Sequence, residues 1–335
     1  MPSLETRPLG REGPPVPVPG FGAMTIGFYG EPIEDRLRIL DAAYEAGCRF
    51  WDTAAAYGDS ETLIGEWFQR TGKRNEIFIA TKFGLSYNNY VMKAENDPKD
   101  IRKSVEESLK KLRVDSIDLL YCHRIDSNVP IENTVKAMSE LQAEGKIKYL
   151  GLSEASSATL ERASKVAKIS ALQIEYSPFS MDIENPDVGV LQTCRSLGIA
   201  VVAYSPLGRG FITGAYKSRA DLPEEDYRRN YPRFSEENFD NNLQLVRKFQ
   251  DVAKEKNHTP GQVALAWLMA QGDDIIPIPG TRKLKYLQEN IGTAGVKLSS
   301  SEVEMLRKAV VEAEVAGNRA GEGFDLGLFA DTVEP

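Results

Sequence analysis

Cysteine and histidine are scarce, with three and two in 335 residues, and that scarcity excludes several chemistries. Cys48, Cys122 and Cys194 are odd in number, widely spaced and free of any C-x-x-C pair. This argues against a disulfide framework or a zinc site and for buried thiols in a reducing compartment. His123 and His258 stand far apart and leave a metal-dependent barrel hydrolase or isomerase without its ligands. A basic surplus is also missing. The net charge of -8 disfavours nucleic acid or an anionic membrane as partner. No apolar run reaches the ~18 residues of a membrane span. Met1-Pro2-Ser3-Leu4-Glu5 lacks the basic start and apolar centre of a secretory signal. The expectation is a cytoplasmic protein with no membrane partner. Finally, Gly20-x-Gly22-x-x-x-x-Gly27 is not the G-x-G-x-x-G dinucleotide fingerprint, and no suitable strand leads into it.

What is present is alternation. Six prolines within the first 20 residues predict a turn-rich lead-in, with a small hairpin capping a barrel bottom. Gly20 to Met24 reads as a first short strand. Apolar runs then predict strands at 49–52, 77–82, 117–123, 147–153, 171–175, 199–204 and 275–278. Helical spacing predicts helices at 34–46, 61–70, 100–112, 132–144, 157–166, 188–197, 243–256, 259–270, 284–291 and 302–314. Ser60 is the expected N-cap of the second of these. Eight apolar strands, each followed by a helix, imply a parallel sheet closed into a (β/α)8 TIM barrel. The domain reading is one barrel over 1–335. Residues 205–239 are expected to form a long loop over the barrel mouth, with 219–234 its mobile part, and 317–335 a weakly structured C-terminal tail.

In such a barrel the chemistry gathers at the carboxyl ends of the strands. Those ends carry Asp52, Lys82, His123, Ser153, Gln173, Tyr204 and Gly280, with Tyr57 in the loop after Asp52. A phenol titrates near 10 and is a poor acid at neutral pH unless a cation stands beside it. Lys82 ends an otherwise apolar strand and can supply that cation, with Asp52 as its counter-ion. Each residue alone has a plainer explanation: a loop or cap aspartate, a snorkelling lysine, a satisfied structural histidine. Together, at successive strand ends, they point to proton transfer.

These residues fall within a longer set of motifs: Gly20-Phe21-Gly22-Ala23-Met24, Asp52-Thr53-Ala54-x-x-Tyr57-Gly58, Ala80-Thr81-Lys82, Tyr121-Cys122-His123-Arg124-Ile125-Asp126, Gly151-Leu152-Ser153-Glu154, Ala203-Tyr204-Ser205-Pro206-Leu207-Gly208-Arg209-Gly210 and Ile278-Pro279-Gly280-Thr281-Arg282. On them the chain resembles the aldo-keto reductase family from Leu9 to about Val310, and the His-Arg-Ile-Asp and Gly-Leu-Ser-Glu forms resemble its larger-loop microbial and plant branch. The resemblance implies NADPH-dependent reduction of an aldehyde or ketone, with Asp52, Tyr57, Lys82 and His123 as a catalytic tetrad. Tyr57 would protonate the carbonyl oxygen, Lys82 would stabilise the phenolate, and His123 would orient the carbonyl. NADP(H) would lie across the barrel mouth, bordered by Gly22, Ala23, Met24 and Asp52. Tyr204 would stack on the nicotinamide, and Ser153 and Gln173 would hold the carboxamide. Ser205, Pro206, Leu207, Gly208, Arg209 and Gly210 would embrace the pyrophosphate. Gly280, Thr281 and Arg282 would meet the 2′-phosphate, and Glu289 and Asn290 the adenine. The resemblance departs at two positions: many relatives have Asn at 154 and Lys or Ser at 280.

Met24 and Phe28 are expected to border the small-molecule carbonyl substrate together with Tyr57 and His123. Tyr87, Tyr90 and Met92 either line that pocket or pack a loop. Arg124 and Asp126 either pair with each other or touch substrate. Arg228 and Arg229 are expected to be solvated, and His258 to be exposed and inert. A second reading is a cofactor-binding regulatory subunit resembling potassium-channel β subunits, which share the fold and can keep the tetrad.

Overall fold

The computed structural model describes residues 4–28, 30–88, 91–321 and 327–335. Barrel strands run Phe21–Gly22, Phe50–Asp52, Phe78–Phe83, Ile117–Cys122, Ile147–Ser153, Ile169–Glu175, Ala200–Tyr204 and Ile275–Pro277. They pair in parallel, each with its sequence neighbour. The first and last strands close the ring: Gly20 N–H donates to Pro277 O (3.0 Å), Gly22 N–H donates to Pro279 O (3.2 Å), and Gly22 bridges Gly280. A side chain at Gly280 would place its Cβ 2.7 Å from Gly22 O, so the bare backbone allows this seam to close.

The pleat divides each strand between two cores. Residues such as Trp51, Ile79, Leu120, Leu150, Leu172 and Val201 face the helices. Phe50, Ala80, Leu119, Tyr121, Ala171 and Val202 fill the barrel interior. Counting two residues onward from the last interior side chain reaches Asp52, Lys82, His123, Gln173 and Tyr204, so the period of the strand alone aims them inward at the mouth. The antiparallel hairpin of Glu5–Pro8 and Pro15–Val18 plugs the other end, where Leu9, Val16 and Val18 join the interior cluster.

Most predicted elements recur within a residue or two, and the exceptions have local causes. Met24 opens a short helix, Met24–Phe28, rather than ending the first strand. Ser60 is not a cap: Asp59 holds that position, and the buried Ser60 hydroxyl donates to Ala23 O (3.0 Å), tying the helix Ser60–Thr71 to the first strand. The helix predicted from Leu243 starts at Glu236, because Ser235 Oγ accepts from Asn238 N–H (3.3 Å) and caps it there. A second hairpin, Leu85–Asn88 with Val91–Ala94, follows the third strand. The side chain of Tyr87 and all of Tyr90 lie outside the described residues. The long loop predicted over 205–239 holds 3-10 turns at Gly208–Thr213, Arg219–Asp221, Tyr227–Asn230 and Pro232–Phe234. They are seated by Phe211, Phe234 and Phe239, whose rings meet edge-on at 4.7 to 6.5 Å. Cys48, Cys122 and Cys194 are buried free thiols, and burial pushes Cys48 and Cys194 up to about 12. No helix among the described residues is long and apolar enough to cross a membrane.

Candidate active site

A cavity of about 540 Å³ opens at the carboxyl ends of the strands. A larger hollow, about 900 Å³, lies at the hairpin end. There the charges are matched: Arg49 faces Glu76 at 3.5 Å, and Asp118 meets Arg74 and Lys148. The mouth cavity gathers Asp52, Tyr57, His123 and Glu175 against apolar walls, which is the usual form of a small-molecule site.

The second strand delivers Asp52, the third Lys82 and the fourth His123. Lys82 Nζ donates to Asp52 Oδ1 at 2.5 Å and to Thr53 O at 2.7 Å, and it stands 4.6 Å from the centroid of the Tyr57 ring. Gln173 Nε2 donates to Asp52 Oδ2 at 2.7 Å. The carboxylate thus accepts from both sides and cannot swing away. Burial would pull the Lys82 ammonium down, but Asp52 and then Tyr57 outweigh it and raise it above the usual lysine range. Burial pushes Asp52 up, and Lys82 offsets part of that. His123 crosses Tyr57 edge to face at 5.4 Å, with the rings 87° apart. Burial first, then the cations of Lys82 and Arg124, hold His123 well below its ordinary value, so the ring is neutral at physiological pH.

Most other nominated residues line the same cavity: Gly22, Met24, Phe28, Ser153, Tyr204, Ser205, Pro206, Leu207, Arg209, Gly210, Gly280, Thr281, Glu289 and Asn290. Ala23, Gly208 and Arg282 do not. Ala23 is buried and donates its N–H to Asp52 O (2.8 Å), a support role. Within the turn after Tyr204, the N–H groups of Gly208 and Gly210 already donate to Ser205 O (2.9 Å) and Leu207 O (3.0 Å). The cation there is Arg209, which faces Glu175 at 3.5 Å and lies over the Tyr231 ring at 4.4 Å. Arg282 pairs with Glu31. Both of these arginines therefore have acidic neighbours from distant parts of the chain.

Several side chains in and around the cavity went unnominated. Thr25, Leu85, Glu175, Tyr216, Tyr227, Tyr231, Arg319 and Leu328 all line it, alongside Met92 and Arg124. Arg124 donates to His123 O (3.1 Å) and Ser153 Oγ (3.4 Å), while Asp126 accepts from Asn128, so the two do not pair. Arg228 is not solvated. Its guanidinium donates to Arg209 O (2.9 Å), Tyr216 Oη (2.7 Å) and the Asp226 carboxylate (2.6 Å), fastening the turn that holds Arg209. The described part of the tail holds no helix or strand, but side-chain contacts anchor it. Arg319 is buried and grips Glu154 with two hydrogen bonds, at 2.8 and 2.6 Å. The side chains that shaped the prediction were the motif positions, and tail residues with no periodicity gave no comparable signal. Among the described residues no three His, Cys, Asp or Glu side chains converge as a metal site.

Comparison with known proteins gives a consistent picture. Residues 20–311 match the Aldo/keto reductase family. The chain is 52% identical over 308 residues to aldo-keto reductase str7 of Strobilurus tenacellus, covering 90% of each chain. It is 48% identical over 336 residues to aldo-keto reductase yakc [NADP(+)] of Schizosaccharomyces pombe, covering 98% of each. Among solved structures it resembles the glycerol dehydrogenase AKR11B4 of Gluconobacter oxydans, with a TM-score of 0.84 and 29% identity over 95% of this chain and 98% of that one. It also resembles the thermostable aldo-keto reductase Tm1743, with a TM-score of 0.73 and 28% identity over 91% and 99%.

Proposed function

Because the chain belongs to the aldo/keto reductase family, we propose that its mouth cavity is where an aldehyde or ketone is reduced to the alcohol, with Tyr57 as general acid. The observation that carries this is the buried Asp52–Lys82 pair, with its ammonium 4.6 Å from the Tyr57 ring centroid and the neutral His123 ring 5.4 Å from that of Tyr57. NADPH is the cofactor, and when bound it supplies the hydride. The cavity suits it in form: one continuous wall runs from Tyr57 past Ser153, Gln173 and Tyr204 to Arg209, Thr281 and Asn290. Tyr204 would face the nicotinamide ring, Ser153 and Gln173 its carboxamide, Arg209 the pyrophosphate, and Thr281 with Arg282 the adenosine 2′-phosphate.

The chain's own part is proton handling and placement. The Tyr57 hydroxyl gives its proton to the carbonyl oxygen. The phenolate left behind is stabilised by Lys82, which Asp52, Thr53 O and Gln173 hold in place. Neutral His123 donates a hydrogen bond that orients the same oxygen, and Phe28, Leu85, Met92 and Leu328 give the substrate an apolar wall. An NADPH-oxidation screen against aldehydes, ketones, quinones and pyridoxal tests the reading. Turnover of at least one carbonyl class is expected, and none at all would end it.

The cofactor preference should depend on Arg282. A charge-assisted hydrogen bond to phosphate contributes roughly tenfold to a hundredfold in affinity. Glu31 already holds one nitrogen of Arg282 and offsets part of its charge, which puts the effect at the low end. Arg282→Ala is expected to weaken NADPH about tenfold and leave NADH nearly unchanged, whereas Glu31→Gln should tighten NADPH. Fluorescence titration of both dinucleotides reads this. Equal losses for the two in Arg282→Ala would move the residue to the shared part of the cofactor.

A further inference from the structure

One carboxylate behind the cavity wall gathers more donors than any loop residue needs. Glu154 has no solvent exposure. Its Oε1 accepts from Arg319 Nη1 (2.8 Å), the Tyr204 hydroxyl (2.8 Å) and Glu175 N–H (3.2 Å), and its Oε2 accepts from Arg319 Nη2 (2.6 Å). Its main chain is engaged as well. Glu154 O accepts from Ala330 N–H (2.8 Å), so the tail binds the same residue twice, by side chain and by backbone. Glu154 adopts φ 56°, a left-handed conformation that a non-glycine residue holds only when its surroundings fix it. The Arg319 guanidinium is itself covered by the Phe329 ring at 5.0 Å. Burial would raise the Glu154 carboxyl, but Arg319 outweighs it and holds it below the usual range. A carboxylate so paired and so closed to solvent is not free to act on a ligand. What it does is fix the Tyr204 hydroxyl, and with it the tilt of a ring that lines the cavity.

We propose that Arg319 is a positioning residue for the nicotinamide: by clamping Glu154 it fixes the Tyr204 ring against which the nicotinamide rests. This rests on the reading that Tyr204 faces that ring. It ties the C-terminal segment to hydride geometry through three named side chains, Arg319, Glu154 and Tyr204.

The test separates the two ends of the cofactor. Wild type, Arg319→Ala, Arg319→Lys, Tyr204→Phe and the Arg319→Ala/Tyr204→Phe double variant are titrated with NADPH and with adenosine 2′,5′-bisphosphate, which lacks the nicotinamide. Thermal melts are run alongside. Arg319→Ala is expected to weaken NADPH about tenfold, the scale of one charge-assisted contact, and leave the bisphosphate unchanged. Arg319→Lys should fall between, and Tyr204→Phe should match Arg319→Ala. The double variant should be no worse than the worse single, because both act through one device. Equal weakening of both ligands, unchanged NADPH affinity in Arg319→Ala, or losses that multiply in the double variant would each overturn the assignment. If Arg319→Ala fails to melt cooperatively, Tyr204→Phe and Arg319→Lys decide the same point, since each keeps most of the buried volume. Binding is read without turnover. A wild type that binds NADPH but reduces no carbonyl compound would sink the reductase reading and leave this comparison standing.

Discussion

Tyr57→Phe should lower carbonyl reduction by at least ~100-fold, the scale of a lost general acid, without changing the affinity for NADPH. The substitution removes one oxygen and nothing else. The ring keeps its edge contacts with Phe28 (6.3 Å) and His123 (5.4 Å), so the wall it forms stays in place. Lys82 keeps Asp52 and Thr53 O as partners, so no buried charge is left stranded. The loss should therefore appear in kcat with the melting temperature preserved. His123 cannot stand in as the acid, because burial and two neighbouring cations keep its ring deprotonated. Turnover near that of the wild type would remove Tyr57 from the proton path.

Lys82→Met should be as damaging to activity and also costly to the fold, which distinguishes it from the first substitution. Lys82 and Asp52 are both nearly fully buried. Removing one partner of such a pair typically costs about 3–5 kcal/mol, because the other charge is left in a poorly polarisable interior. Asp52 would answer by taking up a proton, keeping only Gln173 as a donor. The sign of the pH dependence follows. A carboxyl whose folded value is raised above its unfolded one favours the fold at low pH and penalises it as pH rises. The variant should therefore melt higher at pH 5 than at pH 8. In the wild type, Lys82 is raised above 10.5 by Asp52, so its contribution is complete at neutral pH and fades only as pH climbs through that raised value. Adding Asp52→Asn to Lys82→Met should recover much of the stability and none of the activity. Circular-dichroism melts at the two pH values and NADPH oxidation on both variants measure this. Full activity in Lys82→Met would contradict the coupling to Tyr57.

The part of this site that could be read from sequence is the part that strands dictate. Apolar runs such as Ile77 to Ala80 admit one reading, and the period of two then places Lys82 inside the barrel. The motif residues Tyr57, Ser153 and Tyr204 followed because they sit at fixed offsets from those runs. What escaped notice depends on contacts between distant segments that carry no periodic signal. Glu31 reaches Arg282 across the closing seam. Arg228 looked like a solvated charge because Asp226 and Tyr216 are brought to it only by a succession of 3-10 turns. Arg319 follows Gly317 and sits in a region without helical or strand spacing, yet the tail's backbone pairs with Ala155 through Ala330 and delivers its guanidinium to Glu154. The paired strands Leu85–Asn88 and Val91–Ala94 were hidden for another reason: each has only four residues, too few to show a period.

The buried thiols carry an experimental consequence. Only the thiolate reacts with disulfide and alkylating reagents, and none of the three sulfurs is open to solvent in the folded chain. Labelling must therefore wait for the structure to part, and its rate becomes a clock for breathing motions. Cys48 precedes the second strand, Cys122 ends the fourth, and Cys194 lies in the helix Val190–Leu197. They mark three sectors of the ring. Equal labelling rates would mean that the barrel parts as a whole, and a fast Cys48 would mean that the sector beside the closing seam opens first.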